Sequence, residues 1–115
     1  LRGNKYKAKR ADGFPSKLEK AVYDMLVNKY GEDCVQRQSV VVLQDGDKKT
    51  KINWKIDFKV QTTEGHIYVE AKGVETGEFK LKLKLFRKLK PAPLEIWKGR
   101  YRNGTCIPFL KERIE

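Results

Sequence analysis

The chain has 115 residues, 39% hydrophobic and 36% charged, and its 26 Lys and Arg against 15 Asp and Glu leave a net charge of +11. This suits one domain with a modest core and a strongly positive field, so nucleic acid is the leading partner and an anionic membrane surface the weaker one. No apolar run approaches membrane-spanning length, no signal-peptide pattern opens the chain, and no long amphipathic helix with bulky aromatics supports a membrane partner.

Residues 1–13 carry Arg2, Lys5, Lys7, Lys9 and Arg10 among glycine, alanine and asparagine. They read as a basic arm of the kind that is disordered alone and orders on DNA or on a partner subunit. Lys5, Lys7, Lys9 and Arg10 are its candidate DNA contacts. Residues 14–115 are expected to form a single domain. Ser16 is a good N-cap, and Glu19 three positions later completes a capping-box pattern. Leu18, Ala21, Val22, Met25 and Leu26 then fall at helical spacing, and Gly31 can end the helix. Glu19 thus has a structural role available. It joins a site only if the start of this helix lies against the sheet.

Val35 to Leu43 predicts a first strand, with Val40 to Leu43 suggesting burial on both faces, and Asp45-Gly46 marks a turn. In the second strand Ile52, Trp54, Ile56, Phe58 and Val60 take the apolar face and Asp57 the polar one. In the third, Gly65 to Gly73, Ile67, Val69 and Ala71 share one face, and Tyr68, Glu70 and Lys72 the other. Glu70 and Lys72 then project side by side, roughly 6 to 7 Å apart along the strand. If the two strands pair as a hairpin, Asp57, Glu70 and Lys72 converge on one polar edge. Two carboxylates beside a lysine suit metal-assisted phosphodiester cleavage. The acids hold a hard divalent cation, and the lysine steadies the attacking water or the developing phosphate charge.

Glu78 to Lys90 is ambiguous. Residues 79–85 alternate strictly, as a strand would, yet Phe79, Leu83 and Phe86 share one helical line and Leu81, Leu85 and Leu89 another. Leu and Lys are good helix formers and β-branched residues are absent, so a helix ended by Pro91 and Pro93 is expected. Its lysines, Lys80 and Lys84 among them, are a solvated face or a phosphate track. Leu94 to Trp97 reads as a short strand, and Lys98 to Gly104 as a basic turn in which Arg100, Tyr101 and Arg102 are candidate backbone contacts. The remainder carries no clear pattern. Trp54 and Trp97 fall on apolar alternations and read as core, and His66 as a turn residue. Cys34 and Cys106 are far apart and in no CxxC pair, which excludes a zinc finger and argues against a disulfide framework. A reduced, cytoplasmic setting follows. The order helix, three strands, helix, strand predicts an α/β fold: an antiparallel meander, then a crossover helix returning the last strand parallel.

Asp57 in Lys55-Ile56-Asp57-Phe58, Glu70-Ala71-Lys72-Gly73 after Tyr68-Val69, and Phe14-Pro15-Ser16-Lys17-Leu18-Glu19 together resemble the PD-(D/E)xK nuclease superfamily, most closely its small phage endonuclease I-type junction resolvases. The likeness spans roughly residues 12 to 98. Each motif alone is weak; their order on matching elements makes the set more specific. Ile56 stands where the nominal motif has proline. The resemblance implies a restriction-endonuclease-like core and a Mg²⁺- or Mn²⁺-dependent endodeoxyribonuclease. Asp57, Glu70 and the Ala71 carbonyl would bind metal, Lys72 would be catalytic, and Glu19 would serve as a further active-site acid. It also implies branched DNA as substrate, a homodimer, and host cytoplasm if the chain is phage-encoded. The rival reading is a basic module that binds nucleic acid without chemistry.

Overall fold

The computed structural model describes residues 13–115. Lys5, Lys7, Lys9 and Arg10 lie outside the described residues. The chain runs α1 (Lys17–Tyr30), a short 3-10 turn (Glu32–Cys34), β1 (Val35–Gln44), β2 (Ile52–Thr62), β3 (Gly65–Ala71), α2 (Gly77–Leu89), β4 (Leu94–Arg102) and β5 (Thr105–Ile114). The five strands form one mixed sheet in the order β1-β2-β3-β4-β5. β1, β2 and β3 are an antiparallel meander, α2 crosses over, and β4 returns parallel to β3 with Glu70 beside Ile96 and Ala71 beside Trp97. This is the expected α/β arrangement with one strand added.

The added strand is a correction. Lys98 to Arg102 is strand rather than turn. β4 continues to Arg102, turns at Asn103-Gly104 and pairs antiparallel with β5 along its length. Asn103 and Gly104 both have positive φ, 52° and 78°, the conformation a tight hairpin turn requires. Pro108 breaks the look of a strand in the sequence. It is tolerated because β5 is the sheet's edge, where a missing N–H costs no ladder bond.

α2 is a helix because its ends are capped. Thr76 Oγ1 accepts from Phe79 N–H at 3.1 Å, and Lys90, in the left-handed conformation at φ 47°, donates to Phe86 O at 2.8 Å before Pro91. One of its two leucine lines is inside, and of the other only Leu85 packs against the core. Phe79 and Phe86 are buried and Leu83 packs beside them, whereas Leu81 and Leu89 are 56% and 50% exposed.

The helices cover opposite faces. α1 buries Leu18, Val22 and Leu26 against Phe58, Val60, Ile67 and Val69. α2 buries Phe79 and Phe86 against Trp54, Ile56, Tyr68, Leu94 and Ile96. In β3 the alternation serves both, with Ile67 and Val69 toward α1 and Tyr68 toward α2. The β2 expectation needs correcting. Trp54, Ile56, Phe58 and Val60 are all buried, but the first two belong to the α2 cluster and the last two to the α1 cluster. The ribbon changes allegiance at Asp57. Opposite it in β1, Gln38 has φ 58°, and Gln38 and Asp57 make no ladder pair although Arg37↔Phe58 and Ser39↔Ile56 do. A left-handed residue inside a strand swings the side chains that follow it.

Candidate active site

The β2–β3 ladder runs from Thr62↔Gly65 to Phe58↔Val69 and stops where Asp57 would meet Glu70. Beyond that point the strands fork, and two backbone N–H groups lack ladder acceptors: Ala71 at the end of the β2–β3 ladder, and Asp57 at the Gln38 gap in the β1–β2 ladder. Carboxylates replace them: Glu70 Oε1 accepts from Asp57 N–H at 3.1 Å, and Asp57 Oδ2 accepts from Ala71 N–H at 2.9 Å. The strand faces foreseen from alternation therefore meet, and the two acids are stitched across the gap.

Glu19 arrives from α1. Ser16 Oγ accepts from Glu19 N–H at 3.1 Å, which is one half of the capping box. The reciprocal bond is not present among the described residues. The Glu19 carboxyl instead lies against Asp57, 6% exposed, and its Oε2 is buried without a hydrogen-bond partner. Burial first, and then the charge of Asp57, push Glu19 up to about 7, against the opposing pull of Arg37. Glu70 is raised by burial and by Asp57, partly offset by the Asp57 N–H and by Lys72. Asp57 is raised as well, by burial, while the Ala71 N–H and Lys72 draw it down.

Lys72 follows Glu70 by two residues. Its N–H donates to Trp97 O at 3.0 Å, which continues the β3–β4 pairing, and its Nζ lies 5.3 Å from the centre of the Phe79 ring. Lys72 lines a shallow groove with Trp54, Thr76, Glu78, Phe79 and Lys82 at the start of α2. A second concavity, lined by His66, Pro93 and Arg113, lies at the opposite end of β3, where no acid of the cluster reaches it. His66 lies within β3, paired with Gln61, rather than in the turn expected, and packs edge-on against Tyr68; Trp54 is buried, as expected of a core residue. Trp97 is half-buried and donates its ring N–H to Glu95 at 2.9 Å.

The proposed DNA contacts divide. β4 runs parallel to β3 and continues past it, so Arg100, Tyr101 and Arg102 lie beyond the end of β3 that carries Glu70 and Lys72, where β4 pairs with β5 alone. All three are exposed, Tyr101 by 62%. Lys17 Nζ donates to Gly104 O at 3.1 Å and ties this hairpin to the start of α1, near Glu19. Lys80 and Lys84 are exposed on α2, and no contact brings them to the acids. Two basic residues passed over in the sequence stand closer: Lys82, in the groove with Lys72, and Arg37, 4.0 Å from Glu19 Oε2. The polar run Gln36-Arg37-Gln38-Ser39 at the start of an otherwise apolar strand is the only local signal for Arg37.

The donor set is of hard oxygens, and the buried Glu19 Oε2 has no hydrogen-bond partner, so the residues fit Mg²⁺ or Mn²⁺ in kind. Their oxygens do not yet converge: among the described residues no group of three or more His, Cys, Asp or Glu is arranged to hold a metal ion. Two of the carboxylates each commit an oxygen to the fork, which accounts for the open arrangement. No helix among the described residues is long and apolar enough to cross a membrane. Comparison with protein-family models, curated proteins and solved structures finds no match to this chain.

Proposed function

We propose that the chain is a Mg²⁺- or Mn²⁺-dependent DNA endonuclease of restriction-endonuclease-like fold, selective for branched DNA. One observation carries the reading. Three carboxylates from separate segments, Glu19, Asp57 and Glu70, gather at the β2–β3 fork with Lys72 beside them. Burying three acids within mutual repulsion destabilises a fold unless a ligand relieves it. A divalent ion held by Asp57, Glu70, Glu19 and the Ala71 carbonyl would polarise the phosphodiester and lower the pKa of a bound water. The protein's own part is to place the groups. Lys72, kept at the groove by the Phe79 ring, orients the attacking water or offsets charge on the phosphate. Arg100, Tyr101 and Arg102 hold the DNA backbone at the same end of the sheet. A homodimer would present two such sites to the two-fold symmetry of a four-way junction.

The rival, a binding module without chemistry, accounts for the +11 charge equally well. It leaves three acids next to a phosphate-facing surface, where they would weaken affinity. Incubating the protein with four-way, flap and linear duplex DNA, with and without Mg²⁺, separates the two. Metal-dependent cutting of the junction is expected. Asp57→Ala and Lys72→Ala should each abolish cutting while leaving junction binding within a few-fold. Full cleavage by Lys72→Ala refutes the assignment.

A further inference from the structure

Arg37 is held in place by groups other than the acid it neighbours. It pairs across the ladder with Phe58, next in the chain to Asp57. Its guanidinium lies over the Phe14 ring, 3.8 Å from the centroid, and its Nη2 donates to Gly13 O at 3.3 Å. Phe14 is itself fixed, 5% exposed, with Tyr23 against it at 5.0 Å between ring centres. Glu19 Oε2 is 4.0 Å away and makes no hydrogen bond, to Arg37 or to any other group. A guanidinium whose purpose was to neutralise Glu19 would close to about 2.8 Å, preferably with two bonds. This one is braced by a ring and a carbonyl just short of that, with its side chain 38% exposed. Arginine has five donors in a rigid fork matched to phosphate oxygens, and one of them goes to Gly13. The acid cluster is thus flanked by two cations, each seated on a phenyl ring: Lys72 on Phe79 and Arg37 on Phe14.

We propose that Arg37 is a phosphate-binding residue of this site, donating from its exposed edge to a backbone phosphate of the DNA strand that lies over Glu19, Asp57 and Glu70. The inference rests on the nuclease reading for its ligand. Phe14 is its positioning residue, since the ring fixes the plane of the fork. Lysine cannot substitute fully, because an ammonium neither lies flat on the ring nor donates in a fork.

The test is the salt dependence of binding to a fluorescent four-way junction in EDTA, where no cutting interferes. Loss of one phosphate contact reduces the slope of log K against log salt by about 0.9. Arg37→Gln should show that reduction. Arg37→Lys should keep the wild-type slope, because its charge remains, and lose affinity about tenfold. With Mg²⁺, Arg37→Gln should lose about 10- to 100-fold in kcat/KM, the worth of one charge-assisted hydrogen bond. A merely structural role is tested by repeating the binding in a Glu19→Gln background, where Arg37 has no acid to neutralise. A phosphate contact still costs its share of the slope there; a structural counter-ion costs nothing. An unchanged slope for Arg37→Gln in either background overturns the proposal. If the wild type cuts DNA and the slope is unchanged, this inference alone falls. If the wild type cuts nothing, the nuclease reading falls, and the slope still decides whether Arg37 meets phosphate.

Discussion

Replacing Glu19 with glutamine should stabilise the protein in the absence of metal, and only above a particular pH. The side chain is 6% exposed and its carboxyl is raised from 4.5 to about 7, chiefly by burial. The folded state therefore holds this proton more tightly than the unfolded state. Between about 4.5 and 7 the folded protein binds more protons, so stability falls as pH climbs through that window. Below it the acid is neutral in both states and costs nothing. Above it the full penalty is present. At about 1.4 kcal/mol per pH unit the rise amounts to about 3 kcal/mol, an upper figure because part of it is repulsion shared with Asp57. For a domain of about this size that is a Tm difference on the order of 10 °C. Glutamine keeps the shape, removes the charge and offers Asp57 a donor. Thermal unfolding by circular dichroism in EDTA, at intervals from pH 4 to 8.5, reads the effect. The two Tm curves should coincide at the acid end, diverge across the window and run parallel above it. Carboxylates away from the cluster titrate in both proteins and cancel, including Glu75, which its hydrogen bond from Lys111 and then that from Lys98 hold down at about 2. Mn²⁺ at pH 8 should raise the wild-type Tm more than that of Glu19→Gln. A variant no more stable than wild type at pH 8, or a gap independent of pH, refutes the reasoning.

Three further substitutions test the fold that holds the site. Phe86 is fully buried on α2, with Trp54 and Tyr68 edge-on to it at 6.0 and 6.1 Å, so Phe86→Ala should cost about 3–5 kcal/mol in urea unfolding; a loss under 1 kcal/mol would show that α2 does not sit on this face. Gln38 at φ 58° should accept glycine with little change, the relief of about 1 kcal/mol being offset by glycine's greater backbone freedom. Gln38→Val, β-branched in a left-handed position, should lower Tm and DNA cleavage together; an unaltered Tm would mean the kink opposite Asp57 is absent.

Much of the site was legible because strands alternate with period two. That period alone placed Glu70 and Lys72 on one face and Asp57 on the polar side of its neighbour. It could not reveal the fork, since the kink depends on Gln38, a residue with no turn signature. Glu19 was ambiguous for a chemical reason. The spacing that makes a capping box also puts an acid on the first turn, and whether its carboxyl turns back to Ser16 or inward to Asp57 depends on what packs there. The Leu-Lys run of α2 fits both periods, and its caps, Thr76 and Lys90 before Pro91, decide between them. β5 was missed because Pro108 and a weak alternation hide an edge strand. Arg37 was invisible because its bracing ring, Phe14, is remote from it in the sequence.

The cost of the cluster and its use share one mechanical origin. Unbroken pairing of β2 with both its neighbours would satisfy the N–H groups of Asp57 and Ala71 with carbonyls and leave no space between β2 and β3. The fork frees both donors, and only acceptors as reaching as carboxylates span the gap. Once there, the acids are buried and repel one another, and the neighbouring cations do not balance them. Fully ionised, Glu19, Asp57 and Glu70 carry three negative charges against the positive charges of Arg37 and Lys72, the bases that draw their pKa values down. At that limit the remainder is one negative charge, which would weaken the pull of the basic surface on a phosphodiester. A divalent cation turns that remainder positive. If the chain binds DNA as proposed, the +11 field gathers it without help, and a cation shared by the acids would strengthen the approach to this site. On the proposed reading, affinity for DNA at the cluster and affinity for the cation would be one linked equilibrium, each strengthening the other.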